Sequence, residues 1–353
     1  MNTARKYKAV IIGCGNIGFQ LRRYHIPYAI THFDAYAANQ DVALQGICDT
    51  DEQTVIRFAK EDGIQHASAD LHTVLATAEP DIVSICTPDS THYSILKQVL
   101  AFGCIKAIWC EKPIATTLKE GKEMVALCKE RNVTLMINFL RRYDPFYQEL
   151  HSKIKAMVGD IAYVTASYSG GITTCGSHLL DLLLYLFGKC LWVSGRYGSD
   201  KGSIEGRLEF EGGVPVYLIP SDSSRVSVLD LCIIGSKGRV DTLNRPFYEY
   251  DYRYFPTFRG EVTGSIVMET QQKEIFTKRF ARTMFRDALQ NLLTSIHRKK
   301  NPLCSGNEGL LSLELLSALV HSAGHDGKIT QLPFTVDSIQ IPKPHGEIAR
   351  WKH

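Results

Sequence analysis

Apolar and polar positions follow two different patterns along this chain. Over residues 7–138, short apolar runs are separated by segments with helical spacing, which predicts a parallel sheet covered by helices on both faces. The predicted strands include residues 9–12, 81–86, 107–110 and 133–137. Helices are predicted near residues 52–62, 70–78, 91–102 and 117–130.

From about Ile161 onward, segments with period-two alternation follow one another through glycine-rich turns. This pattern predicts an antiparallel sheet with one face left open. Its predicted strands are residues 162–168, 204–210, 214–219, 226–234, 240–242, 248–255 and 262–270. Helical spacing occurs at residues 179–186, 280–298 and 308–322, so this part is α+β.

The first apolar run breaks at a glycine turn, Gly13-Cys14-Gly15-Asn16-Ile17-Gly18, and the next apolar run ends at Asp49. In a dinucleotide-binding turn the first glycine makes the bend, the second lets amides reach a pyrophosphate, and the third lets the helix pack on the strand. Asp49 would accept hydrogen bonds from the adenosine ribose, and the acidic stretch that follows favours NAD over NADP. A tight turn in an unrelated α/β fold is the alternative.

The spacing from the third glycine to this acid is 31 positions, against about 20 in the usual fingerprint. The excess is residues 20–31, where Pro27 would interrupt a single helix and after which a helical pattern resumes at His32. Arg22 or Arg23 either meets a phosphate or belongs to a solvated basic loop.

Composition and length narrow the class of protein. The chain has 353 residues, which predicts about two domains: a Rossmann domain over residues 1–138 and a second domain over residues 139–353. The fold class is therefore α/β, a doubly wound parallel sheet followed by an α+β domain with a large, mostly antiparallel open sheet. A net charge of +3 without a basic block argues against nucleic acid. Ten irregularly spaced cysteines predict reduced thiols in the cytoplasm, and no metal cluster, signal peptide or membrane-length run is visible.

Four further segments carry candidate chemistry: residues 87–92 (Thr-Pro-Asp-Ser-Thr-His), 111–113 (Glu-Lys-Pro), 138–145 and 176–181 (Gly-Ser-His-Leu-Leu-Asp). Together with the glycine turn they resemble the glucose-fructose oxidoreductase / inositol dehydrogenase family (Gfo/Idh/MocA). The resemblance spans nearly the whole chain, as far as Pro302-x-x-Ser305-Gly306. It implies an NAD(P)-dependent oxidoreductase acting on CH–OH groups.

The resemblance also implies roles for individual residues. Lys112 matches a catalytic lysine whose ammonium stabilises negative charge on the reacting oxygen, and His178 matches a histidine that exchanges the hydroxyl proton. Glu111 would fix the lysine, and Pro113 would lie in the cofactor site, often across a cis bond. The alternatives are a surface lysine before a turn for Lys112 and, for His178 considered by itself, a helix-start or core residue. The implied cofactor-binding residues are Gly13, Gly15, Asn16, Ile17, Gly18, Asp49, Thr87, Pro88, His92, Glu111, Lys112 and Pro113.

Substrate contacts are expected from Arg142, Tyr143, Thr174 and Asp181. Arg142 would clamp a carboxylate or phosphate, or else form an ion pair at the domain junction. Asp181 would orient the imidazole one helical turn away or stabilise the helix start. Thr174 stands where many family members have an aspartate, and threonine cannot act as a carboxylate base. This departure casts doubt on ordinary polyol oxidation.

Three functions follow from these residues. The leading hypothesis is an NAD-dependent oxidoreductase that moves hydride between nicotinamide and a secondary carbon of a nucleotide-linked or acidic sugar. Thr174 motivates the alternative, an enzyme that retains NAD and uses transient oxidation for elimination, hydrolysis or epimerisation. The third is a non-catalytic NAD-binding protein. The family resemblance implies a homodimer or homotetramer formed through the open sheet face.

Overall fold

The structure, a computed structural model, describes residues 6–24, 28–198, 202–244, 250–262, 265–270 and 283–342. The helices are α1 (His32–Ala37), α2 (Glu52–Asp62), α3 (Leu71–Ala78), α4 (His92–Val99), α5 (Leu118–Glu130), α6 (Pro145–Val158), α7 (Ser177–Phe187), α8 (Met284–Arg298) and α9 (Gly306–Ala323).

The first six strands are β1 (Tyr7–Ile12), β2 (Val42–Cys48), β3 (His66–Ser68), β4 (Ile82–Ile85), β5 (Ala107–Cys110) and β6 (Thr134–Ile137). The remaining strands are β7 (Ile161–Ser169), β8 (Cys190–Tyr197), β9 (Ile204–Phe210), β10 (Val214–Ser221), β11 (Leu229–Gly235), β12 (Gly238–Asn244), β13 (Tyr250–Val262), β14 (Ser265–Thr270) and β15 (Thr330–Gln331).

The chain forms two compact units that are not separated at one point of the sequence. One contains residues 1–143 and 282–313, and the other contains residues 144–281 and 314–353. The first unit therefore includes α8 as well as the segment before residue 138, because α8 packs on β5, β6 and α1. The predicted single boundary at residue 138 does not include this return of the chain to the first unit.

The first unit is built on a parallel sheet with the strand order β3-β2-β1-β4-β5-β6. All four residues of β4 and of β5 are buried, as expected for strands covered on both faces. The carboxyl ends of β1 and β4 are neighbours at the reversal of strand order, where open α/β sheets bind ligands. The predicted doubly wound sheet is confirmed.

The second unit is built on a sheet with the order β14-β13-β12-β11-β7-β10-β9-β8-β15. Its neighbouring strands are antiparallel except for β7 and β10, which are parallel. Alternate residues of β11 are buried, and α6 packs against β11 and β12. The predicted mostly antiparallel sheet is confirmed.

Several element boundaries differ from the sequence pattern. The pattern missed α6, β3 and β8, and it divided β13 at a turn that the structure does not contain, since the strand continues to Val262. Parts of the predicted segments 248–255, 262–270 and 280–298 lie outside the described residues, as do His25 and Pro27.

Candidate active site

The glycine turn after β1 places different demands on its three glycines. Gly13 has φ +95°, and a Cβ there would lie 2.7 Å from the backbone of Cys86 at the end of β4. A Cβ at Gly18 would overlap the carbonyl oxygen of Gly13, whereas one at Gly15 would have nothing within 4 Å. Among the described residues, the amides of Gly15, Asn16 and Ile17 donate to no other group. The turn therefore has free space and free N–H donors at the same point, which fits a pyrophosphate.

Asp49 closes this turn from the end of β2. Its Oδ2 accepts a hydrogen bond of 2.6 Å from the amide of Cys14, and its Oδ1 accepts one of 3.0 Å from the amide of Asp51. The half-buried carboxylate fixes the glycine loop in the structure. Its predicted contact with a ribose stays a prediction.

The segment after Gly18 is not one continuous helix, as the sequence pattern predicts, and helical structure resumes at His32. Residues 16–19 form turns, a short 3-10 helix covers Gln20–Tyr24, and α1 begins only at His32. The amide of His32 donates to the carbonyl of Ile17 (3.1 Å), and the amide of Phe33 donates to that of Gly18 (3.1 Å). Helical hydrogen bonding thus resumes across the insert, which is looped out of the helix.

Arg22 anchors the insert rather than presenting a free cation. Its guanidinium donates to both oxygens of Asp62 (2.7 and 2.6 Å) and to Glu61 (3.1 Å). The same group lies within 5.5 Å of the ring centroids of Phe19, Phe33 and Phe58. Arg22 therefore forms an ion pair while its guanidinium packs against three aromatic rings. This position matches neither of the two alternatives, a phosphate contact or a solvated basic loop.

His92 joins two loops at the carboxyl edge of the first sheet. Its imidazole is fully buried, with Nδ1 2.9 Å from the carbonyl oxygen of Pro113 and Nε2 2.9 Å from that of Thr87. It therefore ties the loop after β4 to the loop after β5. Pro88 in the first of these loops is exposed, and the hydroxyl of Thr87 accepts a hydrogen bond from Thr91 (2.8 Å).

Glu111, Lys112 and Pro113 follow β5 directly, and the Lys112–Pro113 peptide bond is cis. Lys112 is half-buried, and its amide donates to Glu111 Oε2 (3.3 Å). Glu111 Oε1 lies 3.1 Å from His32 Nε2 and accepts from Asn138 Nδ2 (2.5 Å). Burial alone would raise the pKa of Glu111, but the hydrogen bond and charge of His32, together with Asn138 and Lys112, outweigh it and lower the pKa. The carboxylate is thus ionised in the folded protein at neutral pH.

The turn after β6 carries the two predicted substrate contacts of the first unit. Arg142 and Tyr143 are both buried, and the Tyr143 hydroxyl accepts a hydrogen bond from the amide of Cys304 (3.2 Å). The neighbouring Arg141, which the sequence did not single out, has a buried Nη1 without a hydrogen-bond partner within the described part of the chain. A buried guanidinium nitrogen without an acceptor is costly, so this nitrogen has the capacity to donate one more hydrogen bond.

In the second unit, Thr174, His178 and Asp181 lie on one continuous helical segment. A π-helical turn over Ile172–Gly176 leads directly into α7, following two glycines with positive φ at positions 170 and 171. Thr174 and His178 are half-buried and Asp181 is buried. Single π-helical turns are frequent at functional sites. The structure brings these three residues to one helix start, and it brings the cofactor-binding candidates to one edge of the first sheet.

Three further features concern disulfides, metal sites and membrane-spanning helices. All ten cysteines are free thiols. No described group of three histidine, cysteine, aspartate or glutamate side chains is arranged to hold a metal ion. Over the described ranges, no helix combines the length and the apolar character needed to cross a bilayer.

Comparison with known families matches residues 7–139 to the oxidoreductase family with an NAD-binding Rossmann fold, and residues 164–330 to the C-terminal α/β domain of the same family. D-glucoside 3-dehydrogenase of Escherichia coli (strain K12) is 23% identical over 91% of this chain and 96% of the relative. Inositol 2-dehydrogenase of Rhizobium meliloti (strain 1021) is 24% identical over 91% of this chain and 98% of the relative.

Among solved structures, the WlbA dehydrogenase from Bordetella pertussis in complex with NADH and UDP-GlcNAcA is 22% identical with a TM-score of 0.75, covering 94% of this chain and 99% of that one. The family model spans both predicted domains, so the resemblance, the enzyme class and the cofactor are confirmed. The chain belongs to the Gfo/Idh/MocA family and is an NAD-binding oxidoreductase.

Proposed function

We propose that the protein is an NAD-dependent dehydrogenase that oxidises a secondary CH–OH group of an anionic sugar, or reduces the corresponding ketone. The observation that carries this proposal is the position of Lys112 directly after β5, on the sheet edge that also holds the glycine turn. The names of the relatives, dehydrogenases of a glucoside and of inositol, support a sugar as substrate.

The first unit has groups suited to each part of the cofactor. The free amides at Gly15, Asn16 and Ile17 would bind the pyrophosphate, and Asp49 would accept the ribose hydroxyls. Pro113 and Thr87, held together by His92, would line the nicotinamide end. When bound, NAD accepts or supplies hydride at C4 of the nicotinamide.

Two side chains would manage the charge and the proton of the reaction. As the C–H electron pair leaves the sugar, the O–H bond breaks and the C–O bond becomes C=O, so the oxygen carries negative charge in the transition state. The Lys112 ammonium would stabilise that charge, and His178 would accept the hydroxyl proton and return it in the reverse direction. Asp181, one helical turn after His178, would orient the imidazole.

An acidic or nucleotide-linked sugar is favoured by the turn after β6. Arg141 keeps a buried nitrogen without an acceptor among the described residues, and a carboxylate or phosphate would satisfy it. UDP-GlcNAcA, present in the WlbA structure, has both kinds of group. Arg142 remains a candidate for the same anion.

Two experiments test this function. Fluorescence titration should show binding of NADH in preference to NADPH, and absence of binding to both would reject the proposal. Absorbance of the reduced nicotinamide should then be followed with myo-inositol, methyl glucoside and UDP-GlcNAcA, where we expect turnover with the anionic sugar. Protein that is purified with NAD bound, and forms no net NADH with any sugar, would instead support transient oxidation.

Lys112→Ala should lower turnover by about 10²–10⁴-fold while leaving the Kd for NADH nearly unchanged, because the ammonium acts on the reacting oxygen. Lys119→Ala, at an exposed position of α5, is the matched control and should keep full activity. Full activity of Lys112→Ala would remove the proposed role.

We also propose a cytoplasmic location, which the ten free thiols support. Homo-oligomerisation is proposed through the open face of the second sheet. Tyr163 on β7 and Tyr217 and Ile219 on β10 are 39–44% exposed on this face. Exposed neighbouring apolar side chains of this size are typical of an interface.

A further inference from the structure

The carboxylate of Glu111 lies in a closed hydrogen-bond network beneath the catalytic edge of the first unit. It receives three donors: His32 and Asn138 on Oε1, and the amide of Lys112 on Oε2. Asn138 is itself fixed, because its Oδ1 accepts from Trp109 Nε1 (2.9 Å). The network therefore ends at the main chain of the proposed catalytic lysine.

The side chain of His32 is held by two aromatic rings and by hydrogen bonds at both ring nitrogens. Its ring is fully buried, lies 4.1 Å from the ring centroid of Trp109 and 5.6 Å from that of Phe285, and has Nδ1 2.9 Å from Ser84 Oγ. Ser84 Oγ is in turn 2.7 Å from the hydroxyl of Tyr36. Since an ionised carboxylate only accepts, Nε2 of His32 must carry the hydrogen in its contact with Glu111. The ring thus has one orientation and one role, that of a donor to Glu111.

The main chain of His32 makes a second connection. Its amide donates to the carbonyl of Ile17 (3.1 Å), in the glycine turn. One residue therefore contacts the loop suited to the pyrophosphate through its backbone and the Glu-Lys-Pro segment through its side chain. The looped-out insert separates these two loops along the sequence without separating them in the fold.

We propose that His32 is a positioning residue for hydride transfer: through Glu111 it holds the backbone of Lys112, and through Ile17 it holds the glycine turn, so that cofactor and ammonium keep one geometry. This inference rests on the proposed function of Lys112. Misplacement of a reacting group by about 1 Å can lower a rate by about a hundredfold. His32 therefore acts on kcat while contacting no substrate atom.

Amide variants separate positioning from mere packing. In His32→Gln the side-chain amide can place an N–H near the position of Nε2, whereas in His32→Asn it reaches only the position of Nδ1. Both variants remove the aromatic ring, and asparagine fills less of the buried site than glutamine by one methylene group, so Glu111→Gln, which conserves side-chain volume, controls for packing. Only the first keeps the donor to Glu111, and rescue by glutamine is therefore the signature of positioning.

Glu111→Gln gives an independent test at the next link. The side-chain oxygen of the glutamine can still accept from His32 and Asn138. The side-chain NH₂ group would then face the amide N–H of Lys112, and two donors cannot form a hydrogen bond with each other. Only the link to the lysine is lost. This variant should reproduce the defect of His32→Asn.

The experiment measures hydrogen exchange of the Lys112 amide in NADH-bound protein, together with kcat and KM for the sugar found above. We expect exchange about tenfold faster, and kcat about tenfold to a hundredfold lower, in His32→Asn and Glu111→Gln, with KM and the Kd for NADH within about twofold. His32→Gln should retain near-normal values, as should His72→Gln, an exposed histidine of the same unit.

Unchanged Lys112 exchange in both His32→Asn and Glu111→Gln would overturn the inference, and so would equal losses of kcat in His32→Gln and His32→Asn. If His32→Asn does not fold, Glu111→Gln decides the point. Failure of the proposed function gives a different result, namely no turnover by the wild type with any sugar. In that case exchange at Lys112 still reports whether His32 and Glu111 hold its backbone.

Discussion

At the scale of single residues, two residues of the same type have different roles in the candidate site because their surroundings differ. Gly13 and Gly15 stand two positions apart in one turn, yet a Cβ would meet backbone atoms at Gly13 and open space at Gly15. Glu111 is likewise set apart from the exposed carboxylates of this unit by its burial and its three donors. The fold thus assigns a stability role to one glycine and leaves the other free for a ligand.

We expect Gly13→Ala to lower stability and Gly15→Ala to lower the affinity for NADH. At Gly13 the positive φ and the 2.7 Å approach to Cys86 should destabilise the fold by about 2 kcal/mol or more. Gly15→Ala should leave the thermal midpoint unchanged and weaken the binding of NADH, because the new methyl group would occupy the proposed pyrophosphate site. Thermal unfolding and NADH titration of both variants check this, and tight NADH binding by Gly15→Ala would contradict it.

The pKa of Glu111 predicts how stability depends on pH. In the folded protein the pKa of Glu111 is lowered from its ordinary value of 4.5, so the contribution of this carboxylate to stability is fully present above pH 4.5 and is lost as pH falls through the lower folded pKa. The difference in unfolding free energy between wild type and Glu111→Gln should therefore be largest above about pH 5 and shrink below about pH 4. Urea unfolding across this range measures it, and a difference independent of pH would refute the ionised network.

At the scale of elements, the insert shows how a helix tolerates extra residues. The chain leaves the helical path after Gly18 and returns at His32, while the amides of His32 and Phe33 bond to carbonyls on the other side of the gap. The Arg22 ion pair to the end of α2 then fixes the loop at its base. Surface loops accept insertions at modest entropic cost, because closure entropy grows slowly with length.

Arg22→Gln should destabilise the protein by about 1–2 kcal/mol, since it removes a bidentate ion pair and a cation over three aromatic rings. Arg23→Gln is the matched control, because its only described contacts are to the adjacent Tyr24. Urea unfolding should separate the two variants, and NADH binding should change little in either. Equal stability of the two would show that the Arg22 cluster contributes nothing.

At the scale of the whole molecule, the two units differ in how much of each sheet is covered. The first unit has its parallel strands covered on both faces, and the second leaves one sheet face with exposed tyrosine and isoleucine side chains. The proposed cofactor-binding groups therefore lie in one unit, and the proposed contact surface lies in the other.

Ile219→Glu should shift the protein toward the monomer, because a charge buried in an apolar interface is costly. Ile56→Glu on α2, at a position 59% exposed in the first unit, is the control and should leave assembly unchanged. Sedimentation velocity of both variants and the wild type measures the effect. A wild type that is monomeric at all concentrations would reject the proposed interface.

The amino-acid pattern alone was sufficient for most elements and for the family. Helix α2 ends before Gly63, which adopts φ +67°, and β5 and β9 match their predicted bounds, since caps and periodicity are local properties. The strand-end segments were also visible, because chemistry-bearing residues cluster where apolar runs stop. The missed helix α6 and the extended β13 show the limit of local patterns.

Tertiary structure alone decided which distant residues meet. His32 and Glu111 are 79 positions apart, and nothing in the spacing of either residue indicates the other. The same holds for Arg22 and Asp62, 40 positions apart, and for His92 between two loops. Periodicity fixes the faces of helices and strands, but the partner of a buried polar group depends on how those faces pack, which a linear pattern does not contain.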